Sequence, residues 1–432
     1  MSSAVKRRLA CMLAMIGALA LPACADPWPR RVIVAWHTLS EARERALLQL
    51  VDRWNQTNDE GVIVIAERRE PAAQHRALLA GATTGLLPDL ALVLPEEAAL
   101  YARRALLSPL DLYADSDDPT VNWDAGDRAD LFPFVQQAGR TPQGQLLGVP
   151  FGGVTQVLLG NRDWLNSLGQ ADMPTNWEAF DKVCEDATDR ILGTACYGFN
   201  PNDGSAIDWL YARGAPIYDP ATTQLQIPSS ATVSALTSLL DDLQSGQAYL
   251  IISTERSRDD FAAARVLFAF VSTDQLGDFA RAVQARANFE LDVGTLPAMT
   301  NTPAASIRAP LWVVPKRTRD RQRVAWKFLR WLLEPQQTAY WATETGEIPA
   351  RLSALALMRP NPEQPLDALR AKLLQRGAAL ARPVPLFSGW PCVQAELSGA
   401  LRRIIEGQPL EDTLLVAQTQ AQNLLDADCT LR

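Results

Sequence analysis

Histidine is scarce: His37 and His75 are the only two in a chain of 432 residues. A zinc site or a histidine-based catalytic triad therefore has almost no raw material, and no Cys-x-x-Cys spacing supplies a substitute. Basic residues do not predominate either, at 41 against 49 acidic. The resulting charge of −8 argues against nucleic-acid binding and suits a protein that does not adhere to anionic surfaces. Beyond the amino terminus no apolar stretch reaches eighteen residues, so nothing there is expected to span a bilayer. Internal repeats and low-complexity tracts are also missing. No metal and no cofactor is expected.

What is present begins with an address, a secretion signal expected over 1–24. Lys6, Arg7 and Arg8 form a positive segment, and Leu9 to Leu21 is a thirteen-residue apolar run, short for a membrane span. The exit, Leu21-Pro22-Ala23-Cys24-Ala25-Asp26, fits two processing routes. Leu-x-Ala-Cys resembles a bacterial lipobox, whose cysteine (here Cys24) becomes lipidated after cleavage. Ala23-Cys24-Ala25 equally fits ordinary secretion, and Pro22 is uncommon inside a lipobox. The expected location is the periplasm, or the outer face of a membrane as a lipoprotein touching the bilayer only through its anchor. Without the three leader cations the balance is 38 basic to 49 acidic. Roughly 400 residues remain, enough for two or three domains.

Cys11 leaves with the leader. Cys184, Cys196, Cys392 and Cys429 remain, an even number for an oxidising compartment. Three pairings are possible, and the economical one joins Cys184 to Cys196 and Cys392 to Cys429. Four buried free thiols are the other reading.

Arg31 to Ala35 is a buried-strand run, followed by Thr38 and Glu41 at capping-box spacing and a helix with Leu47, Leu50 or Val51, and Trp54 on one face. Strands follow at 61–66 and 90–94, with helices at about 72–80 and from Pro95. This alternation points to an α/β fold with mostly parallel sheets flanked by helices. Ligands gather at the carboxyl ends of such strands, which singles out Trp36, His37, Glu67 and the Pro95-Glu96 turn. Asp111 to Asp130 reads as a polar surface excursion. A strand at 154–159 and a helix from the Pro174-Thr175-Asn-Trp-Glu178 capping box open a second α/β unit that runs to about Ala285. Later strands fall at 292–297 and 309–314. A helix over 321–333 is expected to turn Val324, Phe328, Trp331 and Leu332 inward. The tail from Asp367 is helical, apart from a proline-broken loop over 382–390.

Several segments, in this order, resemble the extracellular solute-binding proteins of carbohydrate ABC importers, a family that includes maltose- and glycerol-3-phosphate-binding proteins. They are Val-Ala-Trp-His-Thr38 with the helix ending Val-Asp-Arg-Trp-Asn55, Gly85-Leu-Leu-Pro-Asp-Leu-Ala-Leu-Val93, and Leu147-Gly-Val-Pro-Phe151. The most diagnostic are Ala325-Trp-Lys-Phe-Leu-Arg-Trp331 and Trp341-Ala-Thr-Glu-Thr-Gly-Glu-Ile-Pro-Ala-Arg351. The resemblance covers essentially the whole mature chain. It departs at Gly160, where family members often carry a tyrosine. It implies a two-lobed periplasmic-binding-protein fold with the ligand cleft between lobes. One lobe would hold 31–148 and 286–332, the other 149–285 and 333–432, with hinges near Gly148, Pro297 and Glu334.

A sugar site needs flat aromatic surfaces for ring faces and forked polar groups for hydroxyls. Trp36, Trp209, Tyr211, Trp312 and Trp390 are the aromatic candidates; each could instead belong to the core. Trp54, Trp177, Trp326 and Trp331 sit on helices and are read as packing. His37 directly follows the first strand. Glu67 and Glu96 can each accept two hydroxyl hydrogen bonds, or simply face solvent. Arg351 and Arg382 could clamp a hydroxyl pair, carboxylate or phosphate bidentately, and Arg351 could instead tie the hinge. Phe151 and Gly152 lie at the expected crossing, where backbone amides can approach a ligand.

The expected function is the substrate-binding component of an ABC importer, not an enzyme. It would act as a monomer that closes over a small-molecule carbohydrate and delivers it to permease transmembrane subunits. A glycerol-3-phosphate or other polyol-phosphate binder is the rival within the class. It requires a net positive cleft with Arg351 or Arg382 pointing in. Outside the class stand an exported glycoside-acting enzyme with two carboxylates, and a sensor that signals to a receptor.

Overall fold

The computed structural model describes residues 32–429, apart from 60, 202–204, 220, 300–304, 359–366, 368, 371–372, 374–380, 426 and 428. The expected leader, with Cys11 and Cys24, lies outside the described residues.

Strand β1 (Val32–His37) opens with three β-branched residues, stiff at χ1, and is buried on both faces after Val32. The helix Glu41–Thr57 folds back over it, burying Ala46, Leu47, Leu50, Val51 and Trp54. Ser40 is the N-cap, so the expected Thr38–Glu41 box does not form. β2 (Ile63–Arg68) pairs in parallel with β1, Trp36 facing Glu67 in register. β3 (Leu90–Val93), buried throughout, pairs with β1 on the other side, also in parallel. Arg321 fastens the helix Arg319–Leu332 to this layer. Its Nε and Nη2 each donate to Asp89 at 2.6 Å, and Asp89 Oδ2 also accepts from the Val34 amide at 2.8 Å.

The remaining strands are β4 (Gly148–Pro150), β5 (Gly152–Asn161), β6 (Ala195–Phe199), β7 (Tyr218–Asp219), β8 (Gln224–Leu225), β9 (Ala248–Leu250), β10 (Val266–Ser272), β11 (Leu291–Gly294), β12 (Ser306–Arg308), β13 (Leu311–Val313), β14 (Ile348–Pro349) and β15 (Arg382–Pro383). The first sheet has the order β2-β1-β3-β13-β4. The second runs β15-β12-β5-β10-β6-β9, with β11 and β14 also on β5, and β7 with β8 forms a small ribbon. Both sheets are mixed. Strands joined by helical crossovers run parallel. β13 runs against β3 and β4, and β5 against β10, β11, β12 and β14.

The chain passes between sheets at Phe151, and again at Ala309-Pro310 between β12 and β13, rather than near Pro297. The expected partition placed 286–332 in the first lobe; β11 and β12, inside that stretch, hydrogen-bond to β5 of the second sheet instead.

The helix Arg319–Leu332 buries Ala325, Trp326 and Leu329 with Phe328 and Leu332, while Val324 and Trp331 are only half-buried. The reason is that 111–130 is not merely a surface excursion. It brings Val121 and Trp123 into the core, and Trp326 Nε1 donates to the Val121 carbonyl at 2.6 Å. In the second layer, the helix Trp177–Ala187 is capped by Asn176, which accepts from the Ala179 amide at 2.9 Å, in place of the expected Thr175–Glu178 box. Its Phe180 packs with Tyr197 and Phe268, and the helices Trp390–Ile405 and Leu410–Gln422 complete this core. Cys184 pairs with Cys196, Cα atoms 4.9 Å apart, and Cys392 with Cys429, at 5.8 Å. No helix among the described residues is long and apolar enough to cross a membrane.

Candidate ligand-binding site

The two sheets face one another across a cleft of about 550 Å3. One wall comes from residues just past the carboxyl ends of β1 and β3: Leu39 and Arg43, then Leu94, Pro95 and Glu96, with Trp312 of β13 beside them. The helices that leave β1 and β3 at this edge, Glu41–Thr57 and Pro95–Arg103, pack toward β2 and toward β13 respectively, on opposite sides, so the cleft occupies the switch point that parallel sheets reserve for ligands. The facing wall carries Gln156 of β5, Ser272 of β10, Asp274, and Trp390 with Gln394 from the helix Trp390–Ile405. Phe151, Gly152, Trp341 and Glu347 join the walls.

Arg43 spans this junction. Its Nε donates to Glu347 Oε1 at 2.6 Å and its Nη2 to Asp274 Oδ2 at 2.8 Å. The remaining carboxylate oxygens are also engaged, Asp274 Oδ1 by the Ser272 hydroxyl at 2.6 Å and Glu347 Oε2 by Trp341 Nε1 at 2.9 Å. Burial draws the Arg43 guanidinium down, but Glu347 and Asp274 more than offset it and raise its pKa. Phe151 lies 4.8 Å from the Trp341 ring. Other cleft groups keep hydrogen-bonding capacity to spare. Among the described residues the buried Gln156 Oε1 accepts no hydrogen bond, the buried Trp390 Nε1 donates none, and the Arg308 guanidinium in the lining carries no ion pair. Burial raises the Glu96 pKa, which favours its neutral form. The charged lining is thus Arg43 and Arg308 against Glu96, Asp274 and Glu347, and the cleft is not net positive.

Of the sequence-predicted residues, Glu96, Phe151, Gly152, Trp312 and Trp390 line this cleft; the others do not. Trp36 is buried, its Nε1 donating to Glu67 Oε2 at 2.9 Å and its face covered by Arg69 at 3.7 Å, while Glu67 is partly exposed but outside the cleft lining. His37 is wholly buried, neither ring nitrogen has a partner among the described residues, and burial lowers its pKa, with Glu44 opposing. Trp209 and Tyr211 sit in the core of the second layer, where burial and then Asp208 raise the Tyr211 pKa. Arg351 is consumed by the Leu333 carbonyl, by Asp127 at 2.7 Å and by Asp130 at 3.3 Å, a structural tie. Arg382 is exposed on β15 and is not part of the cleft lining. Gly160 packs under Met173, also away from it.

The model of the bacterial extracellular solute-binding protein family matches residues 49–365. The chain belongs to that family. A curated relative of this solute-binding protein is the sn-glycerol-3-phosphate-binding periplasmic protein UgpB of Yersinia enterocolitica, 23% identical over 79% of each chain. Among solved structures, the sugar-binding protein MalE of Xanthomonas citri shares 18% identity over 91% of this chain and 97% of its own, with a TM-score of 0.76. UgpB of Mycobacterium tuberculosis, in complex with glycerophosphocholine, shares 20% over 91% and 98%, with a TM-score of 0.68. These likenesses establish the two-lobed fold.

Sequence reasoning missed Arg43, Gln156, Asp274, Arg308, Trp341 and Glu347 in this solute-binding protein's cleft. For Trp341 and Glu347 a signal existed, since both fall inside the diagnostic stretch 341–351 and the second follows a turn glycine, Gly346. Arg43 and Asp274 come together across 231 residues of sequence, which no local pattern reveals.

Proposed function

We propose that this solute-binding protein is the substrate-binding component of an ABC importer, that its ligand is a neutral carbohydrate, mono- or oligosaccharide, and that the lobes close on it. The observation that carries the reading is the cleft itself. Trp312, Trp341, Trp390 and Phe151 place aromatic rings in its lining, and Gln156 Oε1 and Trp390 Nε1 are buried hydrogen-bonding atoms that no described residue occupies. The ligand is released unaltered to permease transmembrane subunits, the chain acting as an exported monomer. Cys24 is the acceptor if a lipid anchors it. The mobile halves are the first sheet with the helix Arg319–Leu332, and the second sheet with the two carboxy-terminal helices.

The ligands for which several relatives are named favour a glycerol phosphate, and Arg308 is a cation that could meet one. The charge balance of the cleft and the engagement of Arg351 favour a neutral sugar. A thermal-shift screen of the purified protein separates them, with mono-, di- and trisaccharides in one arm and glycerol 3-phosphate and glycerophosphocholine in the other. A ligand at about a hundred times its Kd adds about 2.7 kcal/mol. Stabilisation by sugars, recovered unchanged by mass spectrometry, is the expected result. Stabilisation by the phosphate compounds alone, or a converted sugar, would refute it.

A further inference from the structure

A second, much smaller cavity opens beside the cleft within the second layer. It measures about 30 Å3 and shares Gln156, Thr254 and Gln275 with the cleft. That exceeds the roughly 10–15 Å3 one water-sized group needs, but it admits a substituent and not a ring. Phe199 at the end of β6, Ile251 and Phe270 of β10 give it apolar walls. Gln156 of β5 and Trp209 supply its unusual feature. Both line the pocket, they are 9% and 1% exposed, and each holds a buried polar atom without a partner among the described residues: Gln156 Oε1, an acceptor, and Trp209 Nε1, a donor. An unpaired buried donor or acceptor is costly, and such a pair beside a binding cleft points to a group that arrives with the ligand.

A hydroxyl is the smallest group that donates to one of these atoms and accepts from the other. A methylene carrying it would lie against Phe199, Ile251 and Phe270. We propose that the side pocket is a subsite for an exocyclic hydroxymethyl group, so that the protein selects sugars bearing a free primary hydroxyl over their 6-deoxy or pentose counterparts. The proposal rests on the carbohydrate reading above. Trp209, which belongs to the core in its packing, thereby also sets specificity.

Calorimetric titration of the purified protein tests it, using D-glucose, D-galactose, D-mannose, maltose and cellobiose, the 6-deoxy form of each, and D-xylose. The hydroxyl-bearing sugar that binds is expected to do so at least about tenfold more tightly than its deoxy partner. Gln156→Met, close in volume but without the amide, should weaken the tighter sugar and bring that ratio near one. Trp209→Phe should do the same by removing the donor. If either variant fails to fold, the wild-type pairs decide alone. Equal affinities in the wild type, or a ratio that survives in a folded Gln156→Met, overturn the subsite while leaving the carbohydrate reading intact. If no sugar binds, both fall.

Discussion

A Cβ built on Gly152 would lie 2.7 Å from Glu347 Oε2, 3.0 Å from Trp341 Nε1 and 3.1 Å from the Ile348 carbonyl. The carboxylate could swing away, but the backbone carbonyl could not, and the Trp341–Glu347 hydrogen bond that fixes one cleft ring would be lost. Gly152→Ala is expected to fold, by circular dichroism, and to bind its sugar about tenfold more weakly by calorimetry. Glu97 offers a test by pH. Burial raises its pKa from 4.5 to about 7, against the Leu94 amide that donates to it at 2.9 Å. Glu96 and Tyr101 also act on it, and His75 Nδ1 lies 3.6 Å from its Oε1. The native carboxyl keeps its proton to a pH at which the unfolded one has lost it, so native binds more protons between 4.5 and 7 and stability falls as pH rises through that window. The loss amounts to roughly 3 kcal/mol. Urea unfolding should show Glu97→Gln gaining on the wild type from pH 4.5 to 8; a constant difference would contradict this. Residue identity was legible where a turn or crossing forced it, as at Glu96, Phe151 and Gly152. It was not legible for Trp36, whose edge and face are taken by Glu67 and Arg69, partners one strand and two residues away in the ladder.

Elements were legible where apolar period and punctuation agreed. β1, β3 and the helix Trp177–Ala187 fall where periodicity puts them, though the caps are Ser40 and Asn176 and not the nearby threonines. The inward face of Arg319–Leu332 was legible at Phe328 and Leu332 but not at Trp326, because Val121 and Trp123 cover the helix from a direction it does not announce. The two disulfides staple elements of the same layer, at separations of 12 and 37 residues. In the chain-entropy model they contribute about 3 and about 4 kcal/mol. The double Cys→Ser variant at 392 and 429 should therefore lose more stability in urea than that at 184 and 196. The reverse order would mean that strain or residual structure, and not loop closure, sets their worth.

At the scale of the molecule, strand–helix alternation disclosed two α/β layers, but the path between them did not follow from it. β11 and β12 join β5 because their registers do, and the second crossing moves to Ala309-Pro310. Arg43 bridges the layers at the cleft, from the helix after β1 to Asp274 after β10, and Arg103, which donates to the Ser388 hydroxyl at 2.8 Å, is a second bridge. If the halves close on a ligand, contacts made only in the closed form must drive the motion. Small-angle X-ray scattering with and without a saturating sugar measures that directly. The account predicts a smaller radius of gyration on saturation, reversed when the sugar is removed. An unchanged radius with a sugar demonstrably bound would contradict it.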